Sequence, residues 1–253
     1  MTLFASDLDR TLIFSPRFLG ETPVEECVLM ESLGDRPIAY MTKLAFDQLQ
    51  EVIKNYHFIP VTTRNRDEFR RLPAFQSVKY AIVNNGGTIL INGVEHEEWT
   101  RHIETKVNEL SLTHQEIKEK FDQHYPNAFK VIRLSDELIW VFVQEIEKEL
   151  PNFAFVQQTF LEKGWKVEKT GRKVYIIPHF LSKWAAVAYV QELLGIPSVI
   201  AAGDSRMDYD LVYGARKSFI PKHGEIAEHD LLHAITTIES GIKAGEEIIT
   251  SVI

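Results

Sequence analysis

The residues best suited to chemistry in this 253-residue chain stand near its start, in Leu3-Phe4-Ala5-Ser6-Asp7-Leu8-Asp9-Arg10-Thr11-Leu12. A short apolar run reads as a buried strand, and it delivers Asp7, Asp9 and Thr11 where that strand should end. Open α/β sheets bind ligands outside the carboxyl ends of their strands, so a reaction is expected at this edge. A carboxylate presented there can attack phosphorus and form an aspartyl-phosphate. A strand closed by an Asp-rich turn has the same short pattern, so residues elsewhere must decide. Thr62 and Arg64 close a second apolar stretch, Lys183 opens a helix, and Gly203-Asp204-Ser205-Arg206-Met207-Asp208 closes a third stretch at 198–202. Two or three carboxylates with a carbonyl make an oxygen-rich site suited to Mg²⁺, which takes few protein ligands and keeps waters and substrate phosphate. A hydroxyl and a lysine add donors and positive charge for phosphate oxygens, from which most catalysis of phosphoryl transfer arises.

These groups need a scaffold that brings distant strand ends together. Residues 13–40 carry Pro16, Gly20, Pro23, Gly34 and Pro37, punctuation that predicts a loop or small hairpin able to act as a flap. Thr42 is expected to cap a helix over 43–55, whose Leu44, Phe46, Leu49, Val52 and Ile53 form one apolar stripe. Strands are predicted at 58–61 and 80–83 with a short helix at 67–72 between them, and Asn84-Asn85-Gly86-Gly87 makes a turn. Alternating strand and helix predicts a parallel sheet with right-handed crossovers. From 88 to 177 the grammar changes to short-turn strand pairs (129–134 with 138–144, 165–169 with 173–177) and helices at about 101–124 and 152–163, the signs of an antiparallel sheet with helices on one face. Trp99, Trp140 and Trp165 fall in this part and read as packing. The parallel pattern resumes after Pro178 with a helix over 183–194, strands at 198–202 and 217–220, and C-terminal helices. The fold expected is α/β: a Rossmann-like, doubly wound parallel-sheet core over 1–87 and 178–253, with an inserted α+β domain over 88–177.

Composition narrows the partners. A net charge of −8 argues against a nucleic-acid surface. The single cysteine, Cys27, excludes an internal disulfide and suits a reducing compartment. Asp7 and Asp9 interrupt any signal-like apolar core, and no run of about 18 apolar residues is present. A soluble, cytoplasmic protein with a small-molecule partner and no membrane partner is expected; composition does not address its oligomeric state. His229 and His233, four apart on an expected helix, lack a third ligand and read as a solvated face.

Here the sequence resembles the haloacid dehalogenase (HAD) superfamily of phosphatases. Asp7-Leu8-Asp9-Arg10-Thr11 matches its D-x-D-x-T motif, Thr62 its strand-end Thr/Ser, Lys183 its helix-start lysine, and Gly203-Asp204-Ser205 with Asp208 its G-D-x-x-x-D signature. The insertion resembles the superfamily's type-two cap and is similar to that of the sucrose-phosphate phosphatase and Cof-like subgroup. Asn85-Gly86-Gly87 is similar to the N-G-A turn preceding that cap. The resemblance covers essentially the whole chain, and four motifs in order with the right spacing make it specific.

What the resemblance implies is a Mg²⁺-dependent phosphatase acting on a small phosphorylated metabolite such as a sugar phosphate. Asp7 would be the nucleophile and Asp9 the general acid and base. Mg²⁺ would be held by Asp7, the Asp9 carbonyl and Asp204, with Asp208 orienting Lys183 or serving the metal's outer shell. Thr62 and Lys183 would bind phosphate, and Arg10, Arg64 and Asn85 are candidate substrate contacts. Arg10 and Met207 depart from the family pattern, which often has glycine and asparagine there. A phosphomutase using the same covalent chemistry, and a non-catalytic module binding a phospho-ligand or a protein, are the alternatives.

Overall fold

Strand β1 (Leu3–Ser6) is buried on both faces, as its unbroken apolar run requires of a central parallel strand. The computed structural model describes every residue except Met1, His229, Asp230 and Leu232. After β1 the chain makes two short 3₁₀ turns and a hairpin, β2 (Cys27–Leu33) and β3 (Arg36–Thr42). Helix α1 (Lys43–Asn55) follows, and the Thr42 hydroxyl accepts the Ala45 N–H at 3.1 Å, closing one of the open donors of its first turn. Then come β4 (His57–Pro60), the one-turn α2 (Arg66–Arg70), and β5 (Tyr80–Val83), which turns back on β6 (Thr88–Ile91) and β7 (Val94–Glu95).

The chain divides into two compact units, Met1–His96 with Lys183–Ile253, and Glu97–Ser182. The division falls at 97 and 182, where the sequence pattern suggested 88 and 177. The antiparallel pairing of β6 with β5 ties residues 88–91 to the first unit. The second unit contains α3 (Glu97–Asn108), α4 (His114–His124), β8 (Val131–Ser135), β9 (Ile139–Val143), α5 (Phe153–Leu161), β10 (Trp165–Thr170) and β11 (Lys173–Pro178). Its four strands form an antiparallel sheet in the order β10-β11-β9-β8. The single helix expected over about 101–124 is two helices. Thr113 starts the second with a capping box: its hydroxyl accepts the Glu116 N–H, and the Glu116 carboxylate accepts the Thr113 N–H at 2.8 Å. The core of this unit gathers Ile117, Phe121, Phe142, Val156, Phe160 and Trp165, so Trp165 serves packing as the sequence indicated.

The first unit resumes with α6 (Lys183–Leu194), β12 (Val199–Ala202), α7 (Tyr209–Gly214), β13 (Lys217–Ile220), β14 (Ala234–Thr236) and α8 (Ile242–Val252). Its parallel sheet has the order β14-β13-β12-β1-β4. Strand β5 reaches β4 through one parallel bridge, Val61 to Ile82, and is otherwise paired to β6. Strand β14 stands where only helices were expected, being three residues long and too short to show a period. His229 lies outside the described residues. His233 immediately precedes β14, with its Nε2 3.0 Å from the Val212 carbonyl oxygen. With strands on both sides of β1 and the chain crossing back between them, the α/β architecture is Rossmann-like, with an inserted α+β unit.

The second unit's packing makes a direct test. Phe121 is fully buried with its ring centroid 4.7 Å from that of Phe142 and 5.9 Å from that of Phe160. Phe121→Ala should cost about 3–5 kcal/mol of unfolding free energy, read as a lowered denaturant midpoint with little change in slope.

Candidate active site

Register places the chemistry. Ser6 at the end of β1 lies opposite Ala202 of β12 and Pro60 of β4. The residues that follow, Asp7, Gly203-Asp204 and Val61-Thr62, therefore leave the sheet at one edge, on three adjacent strands. The Asp7 N–H donates to the Ala202 carbonyl at 2.9 Å and so continues the ladder into the site.

Lys183, the first residue of α6, reaches this edge from a fully buried position. Its Nζ donates to Asp7 Oδ1 at 2.6 Å and to Asp208 Oδ1. Burial works against the ammonium, but the Asp208 and Asp7 carboxylates outweigh it and hold its pKa above the ordinary value. The other Asp7 oxygen accepts from the Thr11 hydroxyl at 3.0 Å. Burial, then repulsion from Asp208, pushes Asp7 up to about 7 despite Lys183. Asp208 Oδ2 accepts from the Ser205 hydroxyl at 2.7 Å and from the backbone N–H groups of Ser205 at 2.9 Å and Asp204 at 3.2 Å. Asp208 thus fixes both Lys183 and the loop that carries Asp204. Directly after Lys183, the Trp184 ring packs against Gly214 at the end of α7, where a Cβ would collide with it.

Asp7, Asp204 and Asp208 each offer an oxygen within 4.8 Å of the others, a group able to hold a metal ion. Asp204 fits such a role best. Its Oδ2 is buried and accepts no hydrogen bond, and its carboxyl is pushed well above the ordinary value by burial, then by Asp208 and Asp7. A buried carboxylate oxygen with free lone pairs is a costly arrangement unless a cation takes it.

Asp9 is held differently. Its side chain is half exposed, and Arg64 grips it in a fork, Nε to Oδ2 at 2.7 Å and Nη2 to Oδ1 at 2.8 Å. The same guanidinium pairs with Glu31 of β2 at 2.8 Å, and Arg71 holds the other Glu31 oxygen at 2.7 Å. Burial opposes the Arg64 charge, but Asp9 and Glu31 more than offset it and raise its pKa. Glu31 is buried because the hairpin register slips on both sides of it, the local irregularity that re-aims a strand side chain.

Of the residues singled out by sequence, Asp7, Lys183, Asp204 and Asp208 form one cluster, which Arg10 joins through Asp204 (Nε to Oδ2, 3.3 Å). Asp9 and Arg64 form the adjoining pair. Thr62 is buried at the same edge, and its hydroxyl accepts the Arg64 N–H at 3.1 Å. Asn85 is buried in a left-handed conformation with its N–H on the Thr62 carbonyl at 2.9 Å, and its side-chain oxygen has no hydrogen-bond partner. Glu31 and Glu225, both in the site's ion pairs, escaped the sequence reading. Nothing in the irregular stretch around Glu31 distinguishes it from a surface glutamate before the hairpin is formed.

No family model matches the sequence, and no curated protein does. Solved structures do match its fold over nearly the whole chain. The sucrose-phosphatase of Synechocystis sp. PCC6803, solved with sucrose and phosphate, superposes with a TM-score of 0.69 at 15% identity, covering 99% of this chain and 97% of that one. A haloacid dehalogenase-like hydrolase from B. subtilis gives 0.62 at 12% identity with 100% of both chains covered. A phosphatase of the HAD superfamily from Bacteroides thetaiotaomicron gives 0.61 at 12% identity, covering 100% of this chain and 94% of that one. The fold is therefore the one these proteins share, over nearly the whole chain.

Removing Arg64 while keeping its bulk would leave Glu31 and Asp9 short of their cation. Arg64→Met should lower stability by about 3 kcal/mol, the usual cost of stripping one partner from a buried ion pair, measured by urea unfolding.

Proposed function

We propose that this protein is a Mg²⁺-dependent phosphomonoester hydrolase working through an aspartyl-phosphate on Asp7, with a small phosphorylated metabolite, and within that class a sugar phosphate, as substrate. One observation carries the reading. Asp7 sits at the carboxyl edge of the central strand, its carboxylate aimed by Lys183 and Thr11, beside a buried Asp204 oxygen that accepts no hydrogen bond. That is the set a phosphoryl-transfer site needs: a nucleophile, a fixed cation and a carboxylate oxygen with lone pairs to give a metal.

In the first half-reaction a carboxylate oxygen of Asp7 attacks phosphorus and the bond to the leaving alkoxide breaks, while Asp9, protonated for this step, supplies the proton the alcohol needs. In the second, Asp9 as carboxylate takes a proton from water. The water oxygen bonds to phosphorus, the Asp7–phosphorus bond breaks, and phosphate leaves with Asp7 restored. Lys183 and Thr62 bind phosphoryl oxygens, and Lys183 favours the ionised form of Asp7 against burial and Asp208. Arg64 orients Asp9. Mg²⁺, held by the side chains of Asp7 and Asp204 and the Asp9 carbonyl, would neutralise charge on the transferring group. We assign the Glu97–Ser182 unit the role of a cap that selects substrate. The sugar class is supported by the fold shared with a sucrose-phosphatase whose structure holds sucrose and phosphate.

Asp7→Asn should reduce phosphate release from a panel of phosphorylated metabolites by at least about 10³-fold, since an amide is no nucleophile toward phosphorus. Undiminished release by that variant would refute the mechanism.

The raised Asp7 pKa also predicts a pH dependence. Without metal, Asp7 keeps its proton below about 7, so Mg²⁺ must displace a proton there. Calorimetry should show Mg²⁺ binding weakening as pH falls below about 7, with proton release on binding. For stability, a carboxyl whose folded pKa exceeds its unfolded 3.8 contributes fully below that value, and the contribution is lost as pH rises through about 7. The thermal stabilisation given by Mg²⁺ should therefore be larger at pH 8 than at pH 6.

A further inference from the structure

Arg10 occupies a position few side chains adopt. Its φ of 69° is left-handed, a backbone that disfavours any residue with a Cβ. The conformation is pinned on both sides: the Arg10 N–H donates to the Ile13 carbonyl at 2.8 Å, and the Arg10 carbonyl accepts from His223 Nε2 at 2.9 Å. The Gly241 N–H donates to His223 Nδ1 at 3.0 Å, which places the imidazole proton on Nε2 and makes His223 the donor to Arg10.

The side chain is equally fixed. Its guanidinium lies 5.2 Å from the Phe18 ring centroid, Nη2 donates to the His223 carbonyl at 3.4 Å, and Nη1 pairs with Glu225 at 3.6 Å. These anchors hold Nε 3.3 Å from Asp204 Oδ2. The approach gives charge pairing without a directed hydrogen bond, because both atoms are buried and neither makes one. The Asp204 oxygen has its charge balanced but its lone pairs uncommitted.

We propose that Arg10 is the resident counter-ion of Asp204, sharing that oxygen with an incoming divalent cation and lowering the affinity of the site for it. The inference rests on the metal-dependent reading above. With no metal, Arg10 offsets the Asp204 charge among the other carboxylates. When a cation takes Oδ2, the anchored guanidinium stays within a few ångströms of it and repels it in a poorly solvated site. Arg10 thereby sets the Mg²⁺ concentration at which the site fills.

The test is Mg²⁺ binding, independent of turnover. Calorimetry at pH 8, above the Asp7 transition, would compare wild type with Arg10→Gln, which keeps the stem and loses the charge, and with Arg10→Gly, which also suits the left-handed backbone. Both variants should bind Mg²⁺ about tenfold or more tightly than wild type, the scale expected from removing one nearby positive charge. In wild type itself, Mg²⁺ should shift the Arg10 Nε–H resonance in NMR spectra, a readout that does not depend on either variant folding. Equal or weaker binding by the variants, or an unmoved Arg10 resonance in Mg²⁺-saturated protein, overturns the proposal and leaves the phosphatase reading standing. No Mg²⁺ binding by wild type or variants overturns both.

Discussion

Everything at the carboxyl edge of this sheet depends on a charge problem. Asp7, Asp204 and Asp208 crowd into one small buried volume, with Asp9 half exposed beside it, and water cannot screen what the fold has enclosed. The solution is a set of fixed cations, each set against its own pair of acids. Lys183 lies between Asp7 and Asp208, Arg64 joins Asp9 to Glu31, and Arg10 faces Asp204. Asp7 is thereby aimed and Asp9 held, while one Asp204 oxygen keeps the capacity to bind a metal. The site is one in which like charges are kept apart by cations with specific geometry.

The fold contributes through register. Because β1 lies between β12 and β4 with Ser6 level with Ala202 and Pro60, three strand ends emerge side by side. Parallel pairing alone brings together residues that lie far apart in the sequence. Helix α6 then delivers Lys183 from its first position, and Asp208 braces both the lysine and the Asp204 loop. Arg64 adds a second connection, from Asp9 to the hairpin. The Asp9 carboxylate and the buried Glu31 of β2 share one guanidinium, so the hairpin is tied to Asp9 by charge as well as by chain.

Much of this was legible in the residues. Asp7, Thr62, Lys183 and Asp204 announce themselves because each ends a strand or starts a helix, and those boundaries are written in apolar runs and turn residues. The hairpin was only half legible. Its prolines and glycines marked irregular structure, but the register slip that buries Glu31 arises from pairing two strands and leaves no local mark. The break over 109–113 was missed because the apolar positions of α3 and α4 continue one another; the Thr113–Glu116 box was the overlooked signal. Strand β14 is too short to carry a period of its own. Arg10 was visible as an oddity, and its meaning came only when the partners of the guanidinium were in view.

The contact between Trp184 and Gly214 has a consequence for how this sequence can drift. Trp184 is bonded directly to Lys183, and its ring rests on bare backbone at the end of α7. A methyl group at 214 would collide with the Trp184 ring, so the ring next to the lysine would have to move. A position with no functional group, outside the charged cluster, thus constrains the side chain that adjoins Lys183. Descendants of this chain could exchange many surface acids and bases freely, yet remain confined to glycine at that one point unless the tryptophan shrank in the same step.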